Sequence, residues 1–250
     1  MTTRPVFLLE PQALADASVG GVITIAGAEG RHGSAVRRLR VGELVDVVDG
    51  AGRRVSGSVG QTAEGEFDVH VTSVTDERQP DVRITVVQAL AKGDRAESAV
   101  EMLTECGVDS IVPWAAGRSV SVWRGDKAVK GPARWRAVAE AATKQSRRSR
   151  VPVIGALSTT PEVCALVADS RLGLVLHEAA TARLSRLDLS AGSGDVVVVV
   201  GPEGGITPDE LAEFDAAGAL TVRLGESVLR TSTAGVAAAA VLLAASGRWD

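Results

Sequence analysis

The chain has 250 residues, of which 45% are hydrophobic and only 3% aromatic, and it carries a net charge of −4. This length suits one large domain or two modest ones, with enough apolar residues for a sizeable core. The scarcity of aromatic residues argues against a surface that stacks bases on exposed rings. Cys106 and Cys164 form no CxxC pair and the three histidines are scattered, so we expect ordinary thiols in a reducing compartment and no metal site.

The N-terminus lacks the long apolar segment of a signal peptide, and the apolar runs are far shorter than the ~20 residues of a membrane-spanning helix. We therefore expect a soluble, cytoplasmic protein. Charge is unevenly distributed: residues 124–150 carry nine basic and two acidic side chains, whereas residues 151–250 carry six and twelve. The local net charge of +7 indicates an anionic partner, unless these residues form an ordinary solvated helix face.

Residues 1–78 are expected to form a small, β-rich, barrel-like domain. The segment FDVHVTSV alternates apolar and polar residues as a half-buried strand does, and DGAG is a hairpin signal. Between the first two strands, one helical stretch carries Arg37, Arg38 and Arg40. The polar, proline-containing segment TDERQPD, residues 75–81, is the best candidate for the domain boundary.

Residues 79–250 are expected to form an α/β domain with a mainly parallel sheet, because strand and helix patterns alternate along them. Strand patterns occupy residues 82–90, 108–114, 172–177, 196–201 and 220–225, and helical patterns occupy residues 94–107, 133–146, 207–218 and 232–246. The unbroken valine run at 196–200 is typical of a strand that is buried on both faces. Gly107 is expected to end the first of these helices.

The turn GPEGG, residues 201–205, joins the valine strand to a helix that Thr207 is expected to cap, with Glu210 as the third helical residue. Its spacing is not that of a dinucleotide fingerprint, Pro202 removes one N–H donor, and Glu203 would place a carboxylate beside a phosphate. A P-loop is excluded because the Gly-Lys-Ser/Thr sequence is missing. The turn favours a ligand without phosphate, such as S-adenosylmethionine, unless its glycines serve the turn alone.

Two further strand ends carry polar residues. Arg230 precedes the last helix at the carboxyl edge of the expected sheet, where ligands bind in open α/β folds. A cation gains nothing from the positive end of a helix dipole, so this placement indicates an anion or a reacting carbonyl beside Arg230, unless the side chain is only an exposed loop arginine. His177 and Glu178 follow another strand. Because they are adjacent in sequence, their side chains cannot lie on one face and bind a metal together. The alternative to a functional role at this strand end is that they simply begin a helix.

The motifs LHEA, GPEGG and LG…VLRTSTA follow the three strands in this order, and H…VRRLRVG, KGDRAE, TECGV, GRSV and QSRRSRVP precede them. In these motifs the chain resembles the RsmE family of 16S ribosomal RNA (uracil-N3) methyltransferases, a branch of the SPOUT superfamily. Each motif alone is weak, but the ordered set is specific and extends over almost the whole chain.

This resemblance implies a PUA-like RNA-binding β-barrel at residues 1–78 and a trefoil-knotted SPOUT methyltransferase domain at residues 79–250. It also implies a homodimer that takes a methyl group from S-adenosylmethionine and transfers it to N3 of a uridine in 16S rRNA of the small ribosomal subunit. Two alternatives stay open. One is another SPOUT RNA methyltransferase, acting on a ribose 2′-OH or on guanine, and the other is a non-catalytic rRNA-binding assembly protein.

The resemblance also implies site residues. The cofactor would be bound by Leu176, His177, Glu178, Gly201, Glu203, Gly204, Gly205, Leu224, Gly225, Val228 and Leu229. We expect Arg230 to stabilise negative charge on the target base or to hold its phosphate, and Glu203 to act as the base. The residues expected to contact RNA are Arg37, Arg38, Arg40, Lys92, Arg95, Arg118, Arg147, Arg148 and Arg150. Ser232 and Met102 stand where members of the family often carry Glu and Lys.

Overall fold

The computed structural model describes residues 4–187 and 192–249. The chain forms two compact units, the first from residues 1–79 and 143–151 and the second from residues 80–142 and 152–250. The expected domains, 1–78 and 79–250, stay a prediction, and the observed division differs from them chiefly in residues 143–151. That segment joins the first unit because Arg150 donates hydrogen bonds to the carbonyl oxygens of Ala51 and Glu77.

The first unit is built on a five-stranded sheet in the order β1-β3-β4-β5-β2. Its elements are β1 (Val6–Leu8), α1 (Pro11–Leu14), β2 (Val22–Ile25), α2 (Gly27–Arg31) with a π-helical turn (His32–Val36), β3 (Leu44–Val48), β4 (Arg53–Ala63) and β5 (Glu66–Asp76). The β1–β3 pair is parallel and the other pairs are antiparallel. The rings of Phe7 and Phe67 meet edge to face in its core, with centroids 4.9 Å apart.

The closed, PUA-like barrel expected for this unit is not confirmed. The edge strands β1 and β2 are only three and four residues long, and within residues 4–187 and 192–249 no pairing joins them. The hairpin expected at DGAG is present, because β3 and β4 pair in antiparallel register across Asp49–Gly52. The unit is therefore an open mixed sheet with a packed apolar core.

The second unit contains a seven-stranded parallel sheet, which confirms the predicted α/β fold with a mainly parallel sheet. Its elements are β6 (Val82–Ala89), α3 (Arg95–Cys106), β7 (Ser110–Trp114), α4 (Asp126–Gln145, whose last three residues belong to the first unit), β8 (Val153–Ile154), α5 (Thr160–Asp169), β9 (Leu172–Leu176), β10 (Ala182–Arg183), β11 (Gly194–Val200), α6 (Pro208–Ala216), β12 (Leu220–Arg223) and α7 (Thr231–Ala245). The strand order is β10-β12-β9-β11-β6-β7-β8.

The valine strand lies inside this sheet, as predicted. β11 pairs with β9 on one side and with β6 on the other, and Val196–Val200 are all buried. Helices cover the two faces and exclude water from these side chains. Gly107 follows α3 in the left-handed conformation, at φ 114°, which glycine adopts without a steric penalty.

Helix α4 begins at Asp126, seven residues earlier than the sequence pattern predicts. Pro132 lies inside this helix and is unfavourable there, because proline lacks the N–H that an interior helical position needs. Packing stabilises the additional turns. The Trp123 ring packs against Trp135 with centroids 5.2 Å apart, and a Cβ at Gly131 would lie only 2.6 Å from it. Across the parts of the chain that are described, no helix is long and apolar enough to cross a membrane.

Candidate functional site

The candidate site is a cavity of about 520 Å³ at the carboxyl edge of the parallel sheet. Because β12, β9 and β11 are neighbours and parallel, the segments that follow them meet at the same edge, where ligands bind in α/β folds. Of the predicted cofactor residues, those that line this cavity are Leu176, His177, Glu178, Gly201, Glu203, Gly204, Gly205, Val228 and Leu229. Leu224 and Gly225 line an adjoining cavity of about 90 Å³, which shares five of these residues.

The GPEGG turn lies directly at the end of β11. Gly205 has a φ of 75°, which favours glycine, and its N–H donates to the carbonyl oxygen of Pro202 at 2.9 Å. A Cβ at Gly204 would lie 2.9 Å from the Cβ of Arg118, and one at Gly201 would lie 2.7 Å from Ile206. The glycines are thus required by the turn and by its neighbours, and they also leave bare backbone facing the cavity.

Glu203 connects the turn to the segment after β6. Its Oε1 accepts a hydrogen bond from the backbone N–H of Lys92 at 3.2 Å and lies 3.5 Å from Nη1 of Arg95. Arg95 lines the cavity, whereas the Lys92 side chain is exposed. The carboxylate of Glu203 therefore has one oxygen committed to this connection.

Glu210 makes a similar connection on the other side of the turn. Its Oε2 accepts from the N–H and the hydroxyl of Thr207, both at 2.9 Å, which confirms the predicted capping box of α6. Its Oε1 accepts the backbone N–H of Gly117 at 2.7 Å. The sequence predicts the cap, but only the structure shows that the same carboxylate holds the segment after β7.

Arg118 follows Gly117 and lines the cavity, with its Nη1 donating to the carbonyl oxygen of Gly204 at 3.3 Å. Arg230 also lines the cavity, at the N-cap position of α7. Its guanidinium is exposed and makes no hydrogen bond or ion pair with any residue in 4–187 or 192–249. It is therefore available to an anion or to a polar group of a ligand.

His177 is held by its own loop. Its Nδ1 accepts the backbone N–H of Ala179 at 3.2 Å, so the neutral ring carries its proton on Nε2. Glu178 is exposed at the cavity and has no partner in the described parts of the chain. The cavity thus contains two carboxylates, those of Glu178 and Glu203, and three guanidinium groups, those of Arg95, Arg118 and Arg230.

Helix α7 closes the floor of the site by tight packing that the sequence analysis did not identify. The buried side chain of Gln88 donates to the carbonyl oxygen of Thr231 at 3.3 Å. A Cβ at Gly235 would lie 3.3 to 3.4 Å from Val200, Gln88 and Val86, so the helix lies close against β6 and β11. Ser232 is buried in the first turn of α7, and Met102 is half-buried in α3.

The remaining predicted RNA-contacting residues belong to the first unit. Arg37, Arg38 and Arg40 are exposed. Among the described residues, none forms a hydrogen bond or an ion pair with their guanidinium groups. Arg147 is exposed and Arg148 is half-buried. Arg150 differs, because its guanidinium binds two backbone carbonyls of the first unit.

Comparison with known proteins decides the family. The model of an RNA methyltransferase domain matches residues 77–243. A ribosomal RNA small subunit methyltransferase E from Mycobacterium bovis is 44% identical over 92% of this chain and 89% of its own length. The chain belongs to the RNA methyltransferase family. Within that family its relatives carry the RsmE name, which confirms the resemblance found in the motifs.

Two solved methyltransferase structures have the same fold. A methyltransferase from Legionella pneumophila in complex with S-adenosylmethionine superposes with a TM-score of 0.85 at 25% identity, covering 98% of this chain and 99% of that one. A ribosomal RNA small subunit methyltransferase E from Neisseria gonorrhoeae, bound to S-adenosylmethionine, superposes with a TM-score of 0.83 at 27% identity, covering 97% and 98%.

Proposed function

We propose that this protein transfers the methyl group of S-adenosylmethionine to N3 of a uridine in 16S rRNA of the small ribosomal subunit. The observation that carries the proposal is the cavity at the ends of β9, β11 and β12, which brings residues of the LHEA, GPEGG and VLRTSTA motifs together in one place. The 44% identical relative, named for methylation of small-subunit rRNA, supports the substrate.

The residues of the cavity fit S-adenosylmethionine. The volume of about 520 Å³ lies within the usual range for small-molecule sites. Leu176, Val228 and Leu229 offer apolar surface for an adenine ring, and the backbone at Gly204 and Gly205 can be approached closely. The carboxylate of Glu178 is available to the cationic amino-acid end. When bound, the cofactor supplies an electrophilic methyl group on a sulfonium.

The protein itself has to deal with the proton and the charge of the target base. N3 of uracil is protonated at neutral pH and lies between two carbonyl groups, so negative charge develops on O2 and O4 as the proton leaves. Arg230, whose guanidinium lacks a partner in the described residues, would stabilise that charge or hold the target phosphate. Glu203, through Oε2, would accept the proton.

RNA would bind to basic side chains, all of them exposed except that of the half-buried Arg148. Arg37, Arg38 and Arg40 in the first unit would contact phosphates, as would Lys92, Arg95, Arg118, Arg147 and Arg148. We propose a PUA-like RNA-binding role for the first unit on the strength of these side chains. Arg150 would contribute by shaping the segment that carries Arg147, because its own guanidinium is committed to backbone carbonyls.

The trefoil knot, the homodimer and a cytoplasmic location are further parts of the proposal. The path of the chain supports a knot, because it runs from β11 to β12 on the far side of β9 and then returns along α7 to pack on β6 and β11. A second copy would cover the part-exposed Val236 and Val241 on α7. A protein that acts on ribosomal RNA would work in the cytoplasm.

The decisive experiment is methyl transfer from labelled S-adenosylmethionine to small subunits that lack the modification, followed by digestion to nucleosides. We expect label in 3-methyluridine. Label in a 2′-O-methylated nucleoside or in methylguanosine would replace the proposal with another SPOUT specificity. A protein that binds these subunits, gives no thermal shift with S-adenosylhomocysteine and transfers no methyl group would be a non-catalytic binding protein.

A further inference from the structure

We infer that Glu210 is a positioning residue, which holds Arg118 at the cavity by fixing the segment after β7. The inference rests on the proposed function, because Arg118 is one of the side chains proposed to meet RNA. Glu210 itself does not line the cavity and would act through the loop.

The first argument is the cost of burying a carboxylate. Glu210 is only 6% exposed, and an ionised group in such a place is unfavourable unless it is well hydrogen-bonded. Both of its oxygens are used. Oε2 serves the capping box with Thr207, whereas Oε1 accepts from the Gly117 N–H at 2.7 Å and from the Thr160 hydroxyl at 3.4 Å.

The second argument is what the Gly117 bond controls. Gly117 immediately precedes Arg118, and the Arg118 guanidinium reaches back to the carbonyl oxygen of Gly204. The other end of this segment is anchored by Trp123, which packs on Trp135. The segment is also held at Ala115, whose N–H donates to the carbonyl oxygen of Ser158 at 2.9 Å. The Glu210 carboxylate is the anchor that holds the residue next to Arg118.

The third argument is a comparison within the chain. Helix α5 begins with the same kind of capping box, in which Glu162 Oε2 accepts from the N–H of Thr159 at 2.7 Å and from its hydroxyl at 2.8 Å. Among the residues that the structure describes, Oε2 is the only oxygen of Glu162 with a hydrogen-bond partner. A helix cap alone therefore does not require two engaged oxygens, and the second oxygen of Glu210 serves the Gly117 segment.

The two caps supply a matched pair of variants. A glutamine has one acceptor oxygen and one NH₂ donor, and glutamine is acceptable in a capping box. Glu162→Gln can therefore keep its only connection. Glu210→Gln must present a donor to one of two N–H groups, so either the cap or the Gly117 bond is lost.

The experiment measures methyl transfer to small subunits and hydrogen exchange over residues 115–121. We expect Glu210→Gln to lower kcat/KM for the RNA substrate about tenfold to hundredfold, as misplacement of a positioned group does, and to speed exchange at Gly117. Cofactor affinity should change less than threefold. Glu162→Gln should resemble the wild type in all three measurements.

A double-mutant cycle tests whether Glu210 acts through Arg118. In an Arg118→Ala background, Glu210→Gln should change kcat/KM for the RNA substrate less than threefold, because the group it positions is gone. Additive losses would overturn the inference, and so would faster exchange at Gly117 combined with wild-type turnover in Glu210→Gln.

A second variant keeps the test decisive if Glu210→Gln fails to fold. Gly117→Ala is the control, because it keeps the N–H and adds a Cβ at an ordinary 3.4 Å from Glu210 Oε1. Gly117→Pro replaces the N–H with a ring carbon and so breaks the bond to Glu210. It should reproduce the loss in kcat/KM for the RNA substrate, and unchanged turnover would contradict the inference. An inactive wild type would instead overturn the proposed function, and the inference would fall with it.

Discussion

The carboxylate of Glu203 lies 3.5 Å from the guanidinium of Arg95, and the same oxygen accepts the backbone N–H of Lys92. This relationship connects the GPEGG turn at the end of β11 to the segment after β6. It gives Glu203 a structural connection in addition to the proposed role as a base. The two roles make different predictions for kinetics.

If Glu203 accepts the N3 proton, Glu203→Gln should lower kcat by roughly 100-fold, which is the usual scale for a general base. Steady-state methyl transfer as a function of pH measures this, and the fall in kcat at low pH that protonation of a general base causes should disappear in the variant. Glu178→Gln is the matched comparison, because it neutralises the other carboxylate of the cavity, and it should weaken cofactor binding and leave the pH dependence of kcat unchanged. A change confined to KM, and reproduced by Arg95→Ala, would show that Glu203 only connects the two segments.

Arg230→Ala should abolish methyl transfer and leave cofactor affinity within about threefold of the wild type. The loss of one preorganised donor at a developing negative charge costs roughly 100-fold to 1,000-fold in kcat. Calorimetric titration with S-adenosylhomocysteine and turnover assays measure the two effects separately. Arg171→Ala is a suitable control, because Arg171 is an exposed arginine before β9, at the opposite edge of the sheet. Wild-type turnover in Arg230→Ala would reject this role.

The exposed arginines of the first unit should determine the salt dependence of RNA binding. Each phosphate contact on single-stranded RNA contributes about 0.7 to the slope of log K against log salt, so Arg37→Ala with Arg40→Ala should reduce the slope by about 1.4. Fluorescence anisotropy with a labelled 16S fragment measures it. Arg83→Ala should leave the slope unchanged, because Arg83 already forms a two-pronged ion pair with Asp195. An unaltered slope in the double variant would contradict the proposal.

Arg150 should contribute to stability more than to RNA affinity. Arg150→Ala removes charge-assisted hydrogen bonds to the carbonyl oxygens of Ala51 and Glu77, and it should lower the melting temperature by about 2–4 °C. Arg147→Ala, three positions before Arg150 in the chain, should weaken RNA binding with little change in melting temperature. Thermal denaturation and anisotropy measure the two effects. If Arg147→Ala lowered the melting temperature and Arg150→Ala weakened RNA binding, the roles assigned to the two arginines would be wrong.

The cap of α5 should make a pH-dependent contribution to stability. Hydrogen bonds from the backbone and the side chain of Thr159 lower the pKa of Glu162 below its ordinary value of 4.5. Because the folded-state pKa is lower than the unfolded one, the contribution is complete above about pH 4.5 and is lost as the pH falls through the lowered value. The difference in melting temperature between wild type and Glu162→Ala should therefore narrow below pH 4.5. A constant difference down to pH 3 would refute this account.

Much of the second unit could be predicted from the sequence because its signals are local. The strand that contains Val196–Val200, the α6 cap at Thr207 and the glycine after α3 each depend on a few neighbouring residues. The start of α4 could not be predicted from the sequence, because the packing of Trp123 on Gly131 outweighs the unfavourable effect of Pro132 on the helix. The open sheet of the first unit could not be predicted either, because the strand pattern does not show whether the two edge strands pair with each other.

The sequence by itself determined the alternation of strands and helices, the end of α3, the cap of α6 and the motifs that identify the family. Only the tertiary structure decided which of those residues act on one another. Glu203 binds Lys92 across 111 positions of the chain, and Glu210 binds Gly117 across 93. Such contacts depend on the strand order β9-β11-β6-β7, which the crossover connections determine. The local periodicity of the sequence does not predict that order.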